Sequence, residues 1–236
     1  MAITLLSGAI AGTILGIINQ GIAEPFLDKA IELEAQKKMN AGEEVLNPTE
    51  LGQYRLWQKG GGILAGTILG TSVAALVGIV FAYSRNSLPG ADNKRKALIL
   101  VSIMWLVLFI VPALKYPGNP PGVGNPDTIY YRVSLYVSFV AISGISTLGL
   151  AYLYKRLGKR EFKKIVIPAM YAAIMISSYF AWPPNPDALT APMDLITNFR
   201  IATAFTMSIL WGLIGIILGA FWDRLKPHET SKIATL

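Results

Sequence analysis

Between Lys115 and Thr128 the chain reads Lys115-Tyr116-Pro117-Gly118-Asn119-Pro120-Pro121-Gly122-Val123-Gly124-Asn125-Pro126-Asp127-Thr128. Proline lacks an N–H and glycine is a poor helix former, so this path is ordered but non-helical, and many of its carbonyls lack helical partners. Those carbonyls, with Asn119, Asn125 and Asp127, present an oxygen-rich surface, the donor type that meets a hydrated hard cation. An Asn-Pro-acid step recurs at Asn185-Pro186-Asp187, and Glu24 and Asp28 follow the first apolar run. Together these carboxylates and amides would make an electronegative entrance that concentrates cations by its field more than by chelation.

Strong chelation within this chain is not expected. The chain has no cysteine and one histidine, His228, which is read as a surface residue near the C-terminus. Enzyme chemistry is poorly supplied as well. There is no nucleophile–base pair, and Gly60-Gly61-Gly62 opens an apolar run instead of joining a strand to a helix as a phosphate-binding loop does. No ATPase module is present, so energised transport would need another protein. The net charge of +7 does not imply nucleic-acid binding, because the basic residues are spread over several loops between apolar runs.

The elements that must position these groups are membrane helices. The chain is 53% hydrophobic and 15% charged, against about 25% charged in a typical soluble domain. Its charge deficit is concentrated in six runs, at about 2–23, 61–83, 97–114, 129–154, 165–182 and 201–222. Runs of about 20 apolar residues match a hydrocarbon core roughly 30 Å thick. The predicted fold is therefore all-α, a polytopic bundle of six transmembrane helices arranged as three hairpins. It forms one membrane domain over residues 1–225, followed by a cytoplasmic tail, 226–236. No Asp, Glu, Lys, Arg or His lies near the middle of any run, which disfavours ion-coupled secondary transport. The hydroxyls of Ser134, Ser138, Ser143, Ser146, Thr147, Ser177 and Ser178 are the main polar groups there.

Orientation follows from the basic residues. Arg85, Lys94, Arg95 and Lys96 lie between runs two and three, six further Lys and Arg lie between runs four and five, and Arg224, Lys226 and Lys232 follow run six. Basic loops inside predict both termini in the cytoplasm. The first outer loop, 24–59, carries Leu27, Ala30, Ile31, Ala35 and Met39 at three- and four-residue steps, which predicts an amphipathic helix. Gly8, Gly12 and Gly16, Gly62, Gly66 and Gly70, and Gly215 and Gly219 each recur at spacing four, a close-packing face for membrane helices. Tyr54-Arg55, Tyr131-Arg132 and Phe199-Arg200 each close an outer loop, and each of these loops also holds an Asn-Pro step before an acid. Two readings stay open: ordinary turn and interface chemistry, or three equivalent hairpins around a shared vestibule.

The Lys115–Thr128 stretch, above all Lys115, Tyr116, Pro117, Asn119, Pro120, Pro121 and Gly122, resembles the CbtA family of probable cobalt transporter subunits. The segment from Glu24 to Glu34, Gln58-Lys59-Gly60-Gly61-Gly62 and Phe199-Arg200 support that resemblance in order along the chain. It implies a cytoplasmic-membrane protein tied to cobalt supply for cobalamin synthesis. It also implies a small single-span partner with a histidine-rich end and, at most, transient cobalt(II) or another divalent cation on this chain. The alternative reading is a non-transporting structural subunit of a larger membrane complex.

Overall fold

The computed structural model describes residues 1–43, 47–158 and 160–227. His228 and the rest of the tail beyond it lie outside the described residues. Every regular element described is helical: α1 (Ala2–Ile22), α2 (Glu24–Asn40), α3 (Pro48–Ser84), α4 (Asn93–Trp105), α5 (Val111–Lys115), α6 (Ile129–Arg156), α7 (Lys163–Ala181) and α8 (Met193–Leu225). A π-helical turn, Leu106–Ile110, joins α4 to α5 as one span. Six of these stretches are long and apolar enough to cross a membrane, and α2 is the additional, polar helix.

Local chemistry explains where the helices begin. α3 starts well before its apolar run because Asn47 and Glu50 form a reciprocal capping box, with Pro48 in the first turn. Its 37 residues reach about 55 Å at 1.5 Å per residue, so the end carrying Tyr54, Arg55 and Lys59 stands beyond a hydrocarbon core of roughly 30 Å. α8 likewise starts at Met193, ahead of its apolar run.

The chain forms two compact units. The first contains Met1–Met104, Pro120–Gly122 and the chain from Ala191 onward. In it, α1 and α3 run antiparallel with glycine against glycine. A Cβ added at Gly66 would lie 2.8 Å from the Gly12 carbonyl oxygen, and one at Gly16 would lie 2.6 Å from the Ile63 Cα. Gly8 meets the Gly70 carbonyl in the same way. Thr13 and Thr67 exchange a hydroxyl hydrogen bond of 2.9 Å along this seam. Gly62 takes no tight part, its nearest neighbour being the Gln20 amide at 3.9 Å, while Gly78 sits directly over the Thr4 side chain. α8 packs on α1, and its glycines face α4: Gly215 meets Leu98 and Val101, and Gly219 meets the Lys94 backbone.

That close approach brings the Asp223 carboxylate of α8 to the start of α4. It accepts from the Asn93 N–H at 2.9 Å, the Asn93 side-chain amide at 2.7 Å and the Lys94 N–H at 3.0 Å. An acid from another helix thus caps the free N–H groups that open α4. Phe81 of α3 meets Trp222 edge-on, with ring centres 5.1 Å apart. The start of α1, the end of α3, the start of α4 and the end of α8 therefore share one end of this unit.

The second unit contains Trp105–Asn119 and Val123–Thr190. Here α6 is the central element, with the π-turn and α5 packed on one side and α7 also against it.

Candidate functional site

In the second unit, the loops before α6 and after α7 are organised by Asp187. Asn185 accepts from the Asp187 N–H at 3.1 Å, which curls the chain so that the carboxylate turns inward, and its side chain is only 7% exposed. Asp187 Oδ2 accepts from the Asn125 N–H at 2.8 Å. The Thr128 hydroxyl lies 2.9 Å and 2.8 Å from the two carboxylate oxygens, and Arg132 Nε lies 3.0 Å from Oδ2. The Thr128 hydrogen bond holds the Asp187 carboxyl below its ordinary range against the opposing effect of burial, with the Asn125 N–H and the Arg132 charge adding to it. Gly124 has φ +96°, and a Cβ there would lie 2.6 Å from Asp187 Oδ2 and 2.8 Å from Arg132 Nη1. Only glycine combines that backbone with that approach.

Asn125 plays the same turn-forming part as Asn185. Its side chain accepts from the Asp127 N–H at 3.0 Å and opens the short 3-10 turn Pro126–Thr128, while its carbonyl accepts from Arg132 Nη2 at 3.0 Å. The Asn-Pro-acid steps are thus asparagine-capped turns. Asp127, by contrast, is exposed, and its carboxylate has no hydrogen bond or ion pair among the described residues. The loop is anchored at its other end by Lys115, which donates to the Tyr179 carbonyl at 2.7 Å and lies 4.5 Å from the Tyr179 ring centre. Tyr116 donates its hydroxyl to the Pro183 carbonyl and meets Phe139 edge-on.

Glu24 and Asp28 belong to the first unit, and the other predicted entrance residues belong to the second. Arg55 Nη2 lies 2.6 Å from Glu24 Oε2 and 2.6 Å from Asp28 Oδ1, and Lys59 Nζ lies 2.9 Å from Asp28 Oδ2. Arg55 and Glu24 are both buried, and Gln58 accepts from the same guanidinium. Burial pushes the Asp28 carboxyl up, but hydrogen bonds from Lys59 and Arg55 outweigh it and hold the group below its ordinary value. Two of the aromatic–Arg pairs therefore do one job: Arg55 and Arg132 each lock carboxylates of their own unit. Pro120–Gly122, within the family-like loop, belong to the first unit, where Gly122 at φ +72° sits against Glu34 of α2.

Deep within the second unit lies a polar chain that sequence reasoning found only in part. The Val111 N–H bonds back to the Leu106 carbonyl, five residues away, as the π-turn requires. The next carbonyl, Val107, would then look to residue 112, which is proline and has no N–H. Ser143 of α6, fully buried, supplies the missing donor to the Val107 carbonyl at 2.6 Å. Tyr171 of α7 lies 2.7 Å from the Ser143 oxygen. Since the one serine proton is committed to Val107, Tyr171 is the donor. The sequence marks Ser143 as a polar group of its apolar run, but it marks neither Tyr171 nor the π-turn. Pro112 inside an apolar run was the one available signal.

No group of three or more His, Cys, Asp or Glu side chains placed to hold a metal ion occurs among the described residues. What this arrangement offers is a set of ordered loops on a membrane helix bundle whose spans carry no Asp, Glu, Lys, Arg or His near their middles. The family described as "probable cobalt transporter subunit (CbtA)" matches residues 1–223 of the 236. The chain belongs to the CbtA family. No curated protein and no solved structure matches it. As a CbtA member with six membrane-spanning helices, it is a multi-pass plasma-membrane protein of a transporter-subunit family, a component that works with partner proteins.

Proposed function

We propose that this chain is the membrane subunit of a cobalt, or related divalent-metal, uptake system linked to cobalamin supply, with a channel-like or facilitating role. The CbtA match over nearly the whole chain carries this reading. The absence of Asp, Glu, Lys, Arg and His mid-span supports facilitation over coupled transport, and nothing in a transporter-subunit family calls for catalysis. The extracytoplasmic entrance rests on the carbonyls of the Lys115–Thr128 loop, on Asn119, Asn125 and Asn185, and above all on Asp127. Asp187, Glu24 and Asp28 spend their charge on Arg132, Arg55 and Lys59, so they shape the surface more than they attract cations. Cobalt(II) favours nitrogen or mixed donors, so a partner subunit, small, single-span and rich in histidine, would supply imidazoles beyond the single His228 of this chain.

The alternative, a non-transporting structural subunit, loses one support. The glycines at spacing four in α1, α3 and α8, Gly62 excepted, already pack against other helices of the chain. Asp127→Asn removes the free carboxylate without touching a hydrogen bond made by its side chain. It is expected to lower radiocobalt accumulation in cells several-fold at low cobalt, with the protein present at wild-type level. Undiminished accumulation at matched protein level would reject the entrance.

A further inference from the structure

The turn between α6 and α7 gathers Lys155, Arg156, Arg160, Lys163 and Lys164 within ten residues, against one carboxylate, Glu161. Two of these cations are engaged locally. Lys163 donates to the Gly158 carbonyl and, at 3.4 Å, to the Tyr154 carbonyl, closing the end of α6. Lys164 pairs with Glu161 at 2.7 Å. Lys155, Arg156 and Arg160 remain exposed, with no carboxylate in ion-pair distance among the described residues.

The two arginines lie beside aromatic rings: Arg156 is 5.8 Å from the Tyr152 ring centre, and Arg160 is 6.0 Å from that of Phe162. Tyr152 continues an exposed apolar stripe of α6, since Ile145, Leu148 and Tyr152 are 70%, 69% and 64% exposed and follow at three- and four-residue steps on one helix face. Arg156 is the next position on that face. Apolar side chains, then an aromatic ring at the membrane boundary, then guanidinium groups, follow the order of acyl chain, glycerol and phosphate in a phospholipid.

We propose that this face of the α6–α7 turn binds an anionic phospholipid. Its chain lies along Ile145 and Leu148, and its phosphate lies at Arg156 and Arg160, whose planar groups suit bidentate phosphate contact. An acidic soluble segment would meet the cations but leave the stripe beneath them unused, whereas a lipid matches both. The proposal is independent of the transport reading.

The test is native mass spectrometry of the full-length protein released from mild detergent, with phosphatidylglycerol and phosphatidylethanolamine of identical chains in competition. Preferential retention of phosphatidylglycerol is expected, weakened roughly five-fold for each arginine removed in Arg156→Gln and in Arg156→Gln with Arg160→Gln. Arg156→Lys with Arg160→Lys keeps the charge and is expected to keep most of the preference, which separates lost binding from a disturbed turn. Lys38→Gln, on the opposite membrane side in the predicted topology, serves as the unaffected control. Equal retention of the two lipids by the wild type, or a preference undiminished in the glutamine variants, would overturn the proposal. So would an acidic peptide that displaces phosphatidylglycerol completely.

Discussion

At the scale of single residues, the acids of the predicted outer loops divide by what surrounds them. Asp127 and Asp187 both follow an Asn-Pro step, yet only Asp187 receives an N–H, a hydroxyl and a guanidinium. It ties Asn125, Thr128 and Arg132 to the 183–190 loop, so its loss should loosen that loop before any helix melts. Because its folded-state pKa is depressed, its contribution is fully present above the ordinary carboxylate pKa. It is lost as pH falls through the lowered native value. Proteolysis confined to residues 183–190 is therefore expected to rise in Asp187→Ala at neutral pH, and in the wild type only at strongly acid pH. An identical cleavage rate in variant and wild type would show that Asp187 does not hold the loop.

At the scale of elements, the third span is the least regular and the most informative. Pro112 removes an N–H, the π-turn shifts the bonding, and Ser143 repairs the orphaned Val107 carbonyl from the neighbouring helix. A membrane interior has no water to do this repair. Ser143→Ala should therefore cost about 1–3 kcal/mol, the penalty for a buried unsatisfied acceptor. Pro112→Ala restores a backbone N–H within reach of the same turn, so the double variant should recover part of the loss. Thermal unfolding of the four proteins in detergent reads this cycle. Additive losses would mean that the serine and the proline are not linked through Val107.

At the scale of the whole molecule, topology joins the sequence to the bundle. Within the first unit the start of α1 and the end of α8 come to the same end, through the contacts of Thr4 with Gly78, Phe81 with Trp222 and Asp223 with Asn93. The basic loops predict that this end is cytoplasmic. Fusions at either terminus should then activate a reporter that folds only in the cytoplasm, and leave an export-dependent phosphatase silent. Phosphatase activity at either end would reverse or break the assigned orientation.

Six helices were legible in the sequence because a bilayer demands long uncharged runs, and that demand acts on each segment alone. The glycine faces were legible in part, since spacing four names a helix face but not its partner. Only packing decided that Gly12 meets Gly66, that Gly62 stands aside and that Gly78 covers Thr4. Four acids of the predicted outer loops, Glu24, Asp28, Asp127 and Asp187, look equivalent in a linear reading. Their charges were sorted by contacts between residues far apart in the chain, Asp28 with Arg55 and Asp187 with Arg132. Composition and periodicity are local properties, so the sequence by itself determined apolar spans joined by polar loops. Which carboxylates are neutralised, and which carbonyl the π-turn leaves for a serine to satisfy, depend on three-dimensional neighbours, and only the tertiary structure decided them.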